Sequence, residues 1–283
     1  MRIGVFCLVR GGASVFSYAN LIARNWSLKR NLKPNKHQAV SYLIFHEGNV
    51  TRLHRSVIKI LSPIPLSFVD VGAEFVGFPN QRTDPSASAA GYSLMCRFMY
   101  LQIWKYLEHC DLGVRVDDDC RVVALPLELS EEDSFKAGVL LRDSHEGTNA
   151  SLPAVLRGLG AEDFDDEFVA NTCVFITRVS FWTDPAVSRF LQQIGHHDLA
   201  LEKRWGDHRI LGIALRKFGK TTEAAQLIDP RIDYFHGSHN HRVRGGHHER
   251  WKISRPSFNQ YRGVQKMDAF FYRNFRRFRD LWS

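Results

Sequence analysis

The sequence predicts an α/β fold around a mainly parallel central sheet. Short, almost wholly apolar runs recur along the chain, and stretches with helical spacing separate them. The apolar content of 44% against 24% charged residues is that of an ordinary globular protein with a sizeable core.

Taken in order, Ile3–Val9 reads as a buried first strand, too short to cross a bilayer and without a signal-peptide cleavage pattern. Arg10-Gly11-Gly12 reads as the loop after it. A helical stretch near Val15–Leu28 and a connection through Pro34 lead to a second strand, Ala39–Phe45. A helix over Val50–Leu61 is stopped by Pro63 and Pro65. Residues Asn80–Ala90, rich in Ser, Ala, Pro and Asn, read as a loop. Met95, Met99, Ile103, Trp104 and Leu107 then recur at the spacing of an amphipathic helix. Further strands are expected at Gly113–Val116, Gly138–Leu141 and Val174–Thr177. A late helix beginning near Asp207 carries Ile210, Leu211, Ala214, Leu215 and Phe218 and stops at Gly219.

Cysteine and charge narrow the setting. Cys7, Cys96, Cys110, Cys120 and Cys173 sit singly in apolar segments, a pattern expected of reduced, mostly buried thiols in a cytosolic compartment. From residue 241 onward, eleven basic residues face three acidic ones, which accounts for the whole formal net charge of +8. The expected organisation is one α/β domain over residues 1–240 and a basic, aromatic C-terminal extension over 241–283. In that extension Phe271, Phe275, Phe278 and Trp282 form a helical stripe, with Arg273, Arg276 and Arg277 mostly off it. Such a helix can dock on the domain or lie against an anionic membrane surface. Arginine among aromatics also suits single-stranded nucleic acid, but no nucleic-acid module accompanies it, and nucleic acid is set aside as a partner.

The chemistry concentrates at Asp117-Asp118-Asp119, directly after an apolar strand. Carboxylates there lie at the sheet edge, where open α/β sheets bind ligands. If the run is extended, Asp117 and Asp119 share a face. Hard oxygen ligands suit Mn²⁺ or Mg²⁺, which commonly share their coordination shell with substrate phosphates. The string by itself is equally compatible with a solvated turn or a helix cap.

A series of matches in chain order resembles the fungal α-1,2-mannosyltransferases, glycosyltransferase family fifteen. Tyr92-Ser93-Leu94-Met95-Cys96-Arg97-Phe98 and Val114-Arg115-Val116-Asp117-Asp118-Asp119 resemble that family's Met-Cys-Arg-aromatic helix and Arg-Val-Glu-Pro-Asp metal motif. Cys7-Leu8-Val9-Arg10, Phe45-His46-Glu47-Gly48-Asn49-Val50-Thr51, Arg204-Trp205-Gly206-Asp207 with Ile213-Ala214, and Ile232-Asp233-Tyr234-Phe235-His236 resemble further family segments. The matches span roughly residues 3 to 236.

The resemblance implies a GT-A fold, a single nucleotide-sugar-binding α/β domain, and a retaining transferase using GDP-mannose as donor, a glycan or glycolipid as acceptor and Mn²⁺ (or Mg²⁺) as cofactor. It implies Asp117, Asp119 and His236 as metal ligands, with Asp117 also at the donor diphosphate. His236 can equally be a surface residue in a histidine-rich stretch. Arg10, Arg97 and Arg115 are candidates for holding the diphosphate or fixing the acidic loop, since guanidinium matches phosphate and carboxylate bidentately. Asp207 reads either as the cap of its helix or as a carboxylate facing the acceptor sugar. Asn171 is a candidate lining residue of the acceptor pocket.

One departure matters. Where the family carries a glutamate considered as catalytic nucleophile, Asn171-Thr172-Cys173-Val174-Phe175-Ile176-Thr177 has no carboxylate. A covalent sugar intermediate on that residue is excluded, and front-face attack assisted by the leaving phosphate is expected instead. A transferase using a UDP-sugar, a nucleotidyltransferase and an inactive carbohydrate-binding GT-A domain are the competing readings. The family's fungal members carry a membrane anchor. None is evident here, so the expected location is cytoplasmic, with membrane contact only through the tail.

Overall fold

The computed structural model describes residues 1–12, 15–75, 87–142, 146–161, 168–203, 205–219, 223–237 and 241–250. Its centre is a six-stranded sheet. In chain order the first elements are β1 (Arg2–Val9), α1 (Ala19–Asn31), β2 (Ala39–His46), α2 (Arg52–Leu61) and β3 (Leu66–Asp70). A long helical segment follows, made of α3 (Ala87–Arg97), a π-helical turn (Phe98–Gln102) and α4 (Ile103–Leu107). Then come β4 (Leu112–Val116), β5 (Cys120–Ala124), β6 (Phe135–Ala137), β7 (Leu140–Arg142), α5 (Glu146–Gly158), β8 (Phe168–Ala170) and β9 (Val174–Arg178). The chain continues through α6 (Val179–Trp182), α7 (Pro185–Gly195), α8 (Asp198–Glu202) and α9 (Asp207–Phe218) to β10 (Asp233–His236), β11 (His241–Arg244) and β12 (His247–Arg250).

The central sheet has the order β3-β2-β1-β4-β9-β6. Pairing is parallel from β3 to β4 and antiparallel on both sides of β9, so five strands run one way and β9 runs against them. At its centre, along β1, β4 and β9, both faces are buried, as the unalternating apolar runs require. Along β1, Ile3, Val5, Cys7 and Val9 enter one core with α1 and α2, while Phe6 enters the other with the α3–α4 segment, α7 and α9. Trp104 stacks on Trp182 in this second core, ring centroids 4.8 Å apart, and Trp182 donates to Thr177 Oγ1 at 2.7 Å.

Several expected elements shift for local reasons. The second helix starts at Arg52 because Thr51 caps it, its hydroxyl accepting from His54 N at 3.2 Å. The end of the expected 80–90 loop is helical, since α3 begins at Ala87; residues 76–86 lie outside the described residues. The strand expected at 138–141 forms over Leu140–Arg142. Gly138 sits where a Cβ would come within 3.0 Å of Val243, Ile232 and Tyr234. A second, four-stranded sheet, β12-β11-β10-β5, packs there. Residues 241–250 thus extend this small sheet beyond residue 240. The aromatic stripe from Phe271 to Trp282 lies outside the described residues. Among the described residues no helix is long and apolar enough to cross a membrane.

Candidate active site

The chain leaves β1 for β2 and β3 on one side and returns to β4 on the other, so strand order reverses between β1 and β4. Ligand crevices form at such a switch point, outside the carboxyl ends of the parallel strands. Arg10 after β1, the acidic run after β4 and the entry to β9 all fall at this edge.

The acidic run is a tight turn, not an extended segment: Cys120 N donates to Asp117 O at 3.0 Å, and the chain reverses from β4 into β5. Asp117 and Asp119 therefore do not share a face as they would in an extended run, and they meet different partners. Cys173 O accepts from Asp117 N at 2.9 Å and fixes the turn against the start of β9. Gly237 fixes it against the end of β10, donating to Asp119 O at 2.9 Å where an added Cβ would collide with that oxygen. Burial, and then the neighbouring Asp119, push the Asp118 carboxyl up to about 6.

On one flank lies a charged chain of contacts. Arg115, buried on β4, donates through Nε to Asp117 Oδ1 at 2.7 Å and through Nη2 to Asp117 Oδ2 at 3.2 Å. Its Nη1 bonds Asp207 Oδ2, which also accepts from Thr172 Oγ1 at 3.1 Å. Gly206, not Asp207, occupies the N-cap of α9, so the Asp207 carboxylate is free to face inward as the first helical residue. One guanidinium serves two carboxylates. Burial lifts Asp117 above the ordinary range, whereas at Asp207 the opposing pull of Arg115 and His208 outweighs burial and holds the carboxyl low.

The other flank is made by β5 pairing with β10. His236 lies opposite Cys120, which brings His236 Nε2 to 3.4 Å from Asp119 Oδ2 and 4.0 Å from Cys173 Sγ. Both side chains keep some exposure, 11% for His236 and 15% for Asp119. Burial opposes a charge on His236, but the Asp119 and Cys173 contacts win and raise it to about 10. Among the described residues Asp119, Cys120 and His236 form the one group whose donor atoms could surround a cation.

The remaining candidates disperse. Arg10 is largely exposed, 3.9 Å from Glu47, with its guanidinium against Gly91 of α3. Arg97 ends α3, with its charge near Glu74 and Tyr100. Asn171 is buried and its side-chain oxygen accepts from Cys173 N at 2.9 Å, shaping the turn into β9. Its neighbour Thr172 makes the contact to Asp207. All five cysteines are free thiols.

Sequence reasoning missed Arg24. It is fully buried on α1 and donates through Nε to Val116 O at 2.7 Å, immediately before the acidic turn. Ser27 and Asn31 continue this face, bonding Val122 N at 3.1 Å and Val122 O at 2.7 Å. The signal was an arginine on the apolar stripe of a helix, which only a specific partner makes tolerable.

No protein-family model matches the chain, and no curated protein matches it. Solved structures do. Core-mannan synthase A (CmsA/Ktr4) of Aspergillus fumigatus in its Mn/GDP form is similar at 12% identity, over 83% of this chain and 74% of that one, with a TM-score of 0.62. The mannosyltransferase Ktr4p of S. cerevisiae in complex with GDP is similar at 14% identity, over 83% and 70%, with a TM-score of 0.64. Mouse xyloside xylosyltransferase 1 is similar at 12% identity, over 81% and 84%, with a TM-score of 0.50. The chain has the GT-A fold that these glycosyltransferases share.

Proposed function

We propose that this chain is a metal-dependent glycosyltransferase that moves mannose from GDP-mannose to a hydroxyl of a glycan or glycolipid with retention of configuration. The observation that carries the proposal is the two-sided acidic turn at the switch point, with Asp119 and His236 on one flank and the Asp117–Arg115–Asp207 chain on the other. The fold likeness to proteins solved with Mn and GDP supports the choice of donor and cation.

The donor set fits a divalent cation: a carboxylate and an imidazole 3.4 Å apart, partly exposed at the mouth of the crevice. Such an ion, when bound, neutralises the departing nucleoside diphosphate. Asp119 and His236 would hold the ion, and Arg115 fixes Asp117 on the other flank of the turn. Arg10, exposed at the end of β1, supplies a guanidinium to the phosphates. Asp207, kept anionic by Arg115 and oriented by Thr172, accepts a hydrogen bond from the acceptor sugar. The entry to β9 offers no carboxylate nucleophile. The acceptor oxygen therefore attacks the anomeric carbon from the face the phosphate leaves. One carbon–oxygen bond forms as the other breaks, and the hydroxyl proton passes to the departing diphosphate.

The test is thermal unfolding with Mn²⁺ and, separately, GDP, UDP, ADP or CDP, because a ligand of the native state raises Tm by mass action. A metal-dependent rise confined to GDP is expected. A rise with UDP alone moves the donor away from mannose, and no rise with any nucleotide removes the assignment. Hydrolysis of GDP-mannose without acceptor then checks the chemistry.

A further inference from the structure

We infer that Asp119, Cys120, Cys173 and His236 form a thiophilic cation site that takes zinc or cobalt through sulfur, in competition with the harder ion of the proposed reaction. The inference rests on that reading only in using the same Asp119–His236 pair.

Three strand ends bring the four groups together. Asp119 and Cys120 are adjacent at the start of β5, His236 faces Cys120 across the β5–β10 pair, and Cys173 precedes β9, against the acidic turn. The donor atoms of Asp119, Cys120 and His236 all lie within 4.8 Å of one another. Cys120 Sγ is 3.8 Å from Asp119 Oδ1, His236 Nε2 is 3.4 Å from Asp119 Oδ2, and Cys173 Sγ is 4.0 Å from His236 Nε2. Bonds of about 2.0–2.3 Å around a tetrahedral zinc set its donors about 3.3–3.8 Å apart. The His236–Asp119 contact already matches such an edge and the Cys173–His236 contact is a few tenths of an ångström longer than one, while Cys120 meets the other oxygen of the Asp119 carboxylate, so a turn of that carboxylate completes the set.

Buried cysteines usually serve as small hydrophobes, and Cys7 and Cys110 are explained that way. Cys120 and Cys173 differ because an imidazole and a carboxylate share their space. Sulfur is the donor that separates zinc and cobalt from magnesium and manganese. Coordination exchanges each S–H bond for a metal–sulfur bond and releases the proton to solvent, and no electron changes hands.

The full chain, kept reduced and stripped of metal with a chelator, would be titrated with Co²⁺ and followed by absorption. A thiolate-to-cobalt charge-transfer band with intense tetrahedral visible bands is expected, saturating at one ion per chain, erased by Zn²⁺ and untouched by Mg²⁺. Cys173→Ser, at the more exposed sulfur, should remove about half of the charge-transfer intensity and weaken Zn²⁺ at least about tenfold. Cys120→Ser combined with it should abolish the band. Circular dichroism identifies a variant that fails to fold, and His236→Gln, which spares the buried thiol, then serves as the second test by losing the tetrahedral bands. Absence of the charge-transfer band in folded protein, or a band unaltered in Cys173→Ser, overturns the inference. A GDP response with Mn²⁺ but no cobalt band leaves the transferase reading standing and removes this one. A cobalt band without any nucleotide response does the reverse.

Discussion

The two flanks of the acidic turn handle charge in opposite ways. On the β4 side, Arg115 binds Asp117 twice and Asp207 once, and Thr172 adds a hydroxyl. Arg115 and Asp207 are each about 5% exposed, so their charges are settled inside the protein. On the β10 side, Asp119 stands 3.4 Å from an imidazole and 3.8 Å from a thiol, and keeps 15% of its side chain exposed. The first flank is scaffold, because a buried carboxylate is tolerable only with its cation in place. The second is where an incoming cation can improve on what the chain provides. One turn thus separates a flank whose charges are already paired inside the protein from a flank open to a cation.

The sharpest way to break this contrast is Arg115→Met. It leaves Asp117 and Asp207 without their cation and should cost about 3–5 kcal/mol, read as a lower urea midpoint. A loss below about 1 kcal/mol, the range of surface pairs, would show that this flank is not scaffold. Arg24→Met should cost less, about 1.5–3 kcal/mol, because its hydrogen bonds to Val116 O and Asn25 Oδ1 are lost while a buried charge is also removed. An unchanged urea midpoint would mean that Arg24 does not fasten the end of β4.

Acid should act on the scaffold in a defined direction. The folded Asp207 carboxyl lies below its ordinary value, so its contribution is fully present above the unfolded value near about 4 and fades as pH falls below it. Asp207→Asn should flatten this part of the stability–pH curve. Equal acid sensitivity in both proteins would place the titrating group elsewhere. The smallest stability effect belongs to the other flank: Asp119→Asn should shift the midpoint by less than about 1 kcal/mol yet abolish the Mn²⁺-dependent rise in Tm. Retention of that rise would remove Asp119 from the cation site.

Legibility followed burial. β1, β4, β9 and the second half of β2 are covered on both faces and appear in the sequence as apolar runs. The small-sheet strands Asp-Tyr-Phe-His, His-Arg-Val-Arg and His-His-Glu-Arg are four residues long and carry few apolar side chains, and nothing in their pattern separates them from loop. The long helix was legible as helix, but not its π-helical turn. There the buried set passes through Phe98, Met99 and Tyr100, leaving Met95 only partly covered.

At the site, residue type was informative and grouping was not. The sequence by itself determined an aspartate run at a sheet edge, a histidine far downstream and the lack of a carboxylate at the entry to β9. Only the tertiary structure decided that Asp117 belongs with Arg115 and Asp207, that Asp119 belongs with His236, and that two cysteines stand beside the latter pair. Local spacing governs which way a side chain leaves its own strand. Partners 35 to 117 residues apart meet through the β4–β5 turn and the β5–β10 register, which depend on how two sheets pack.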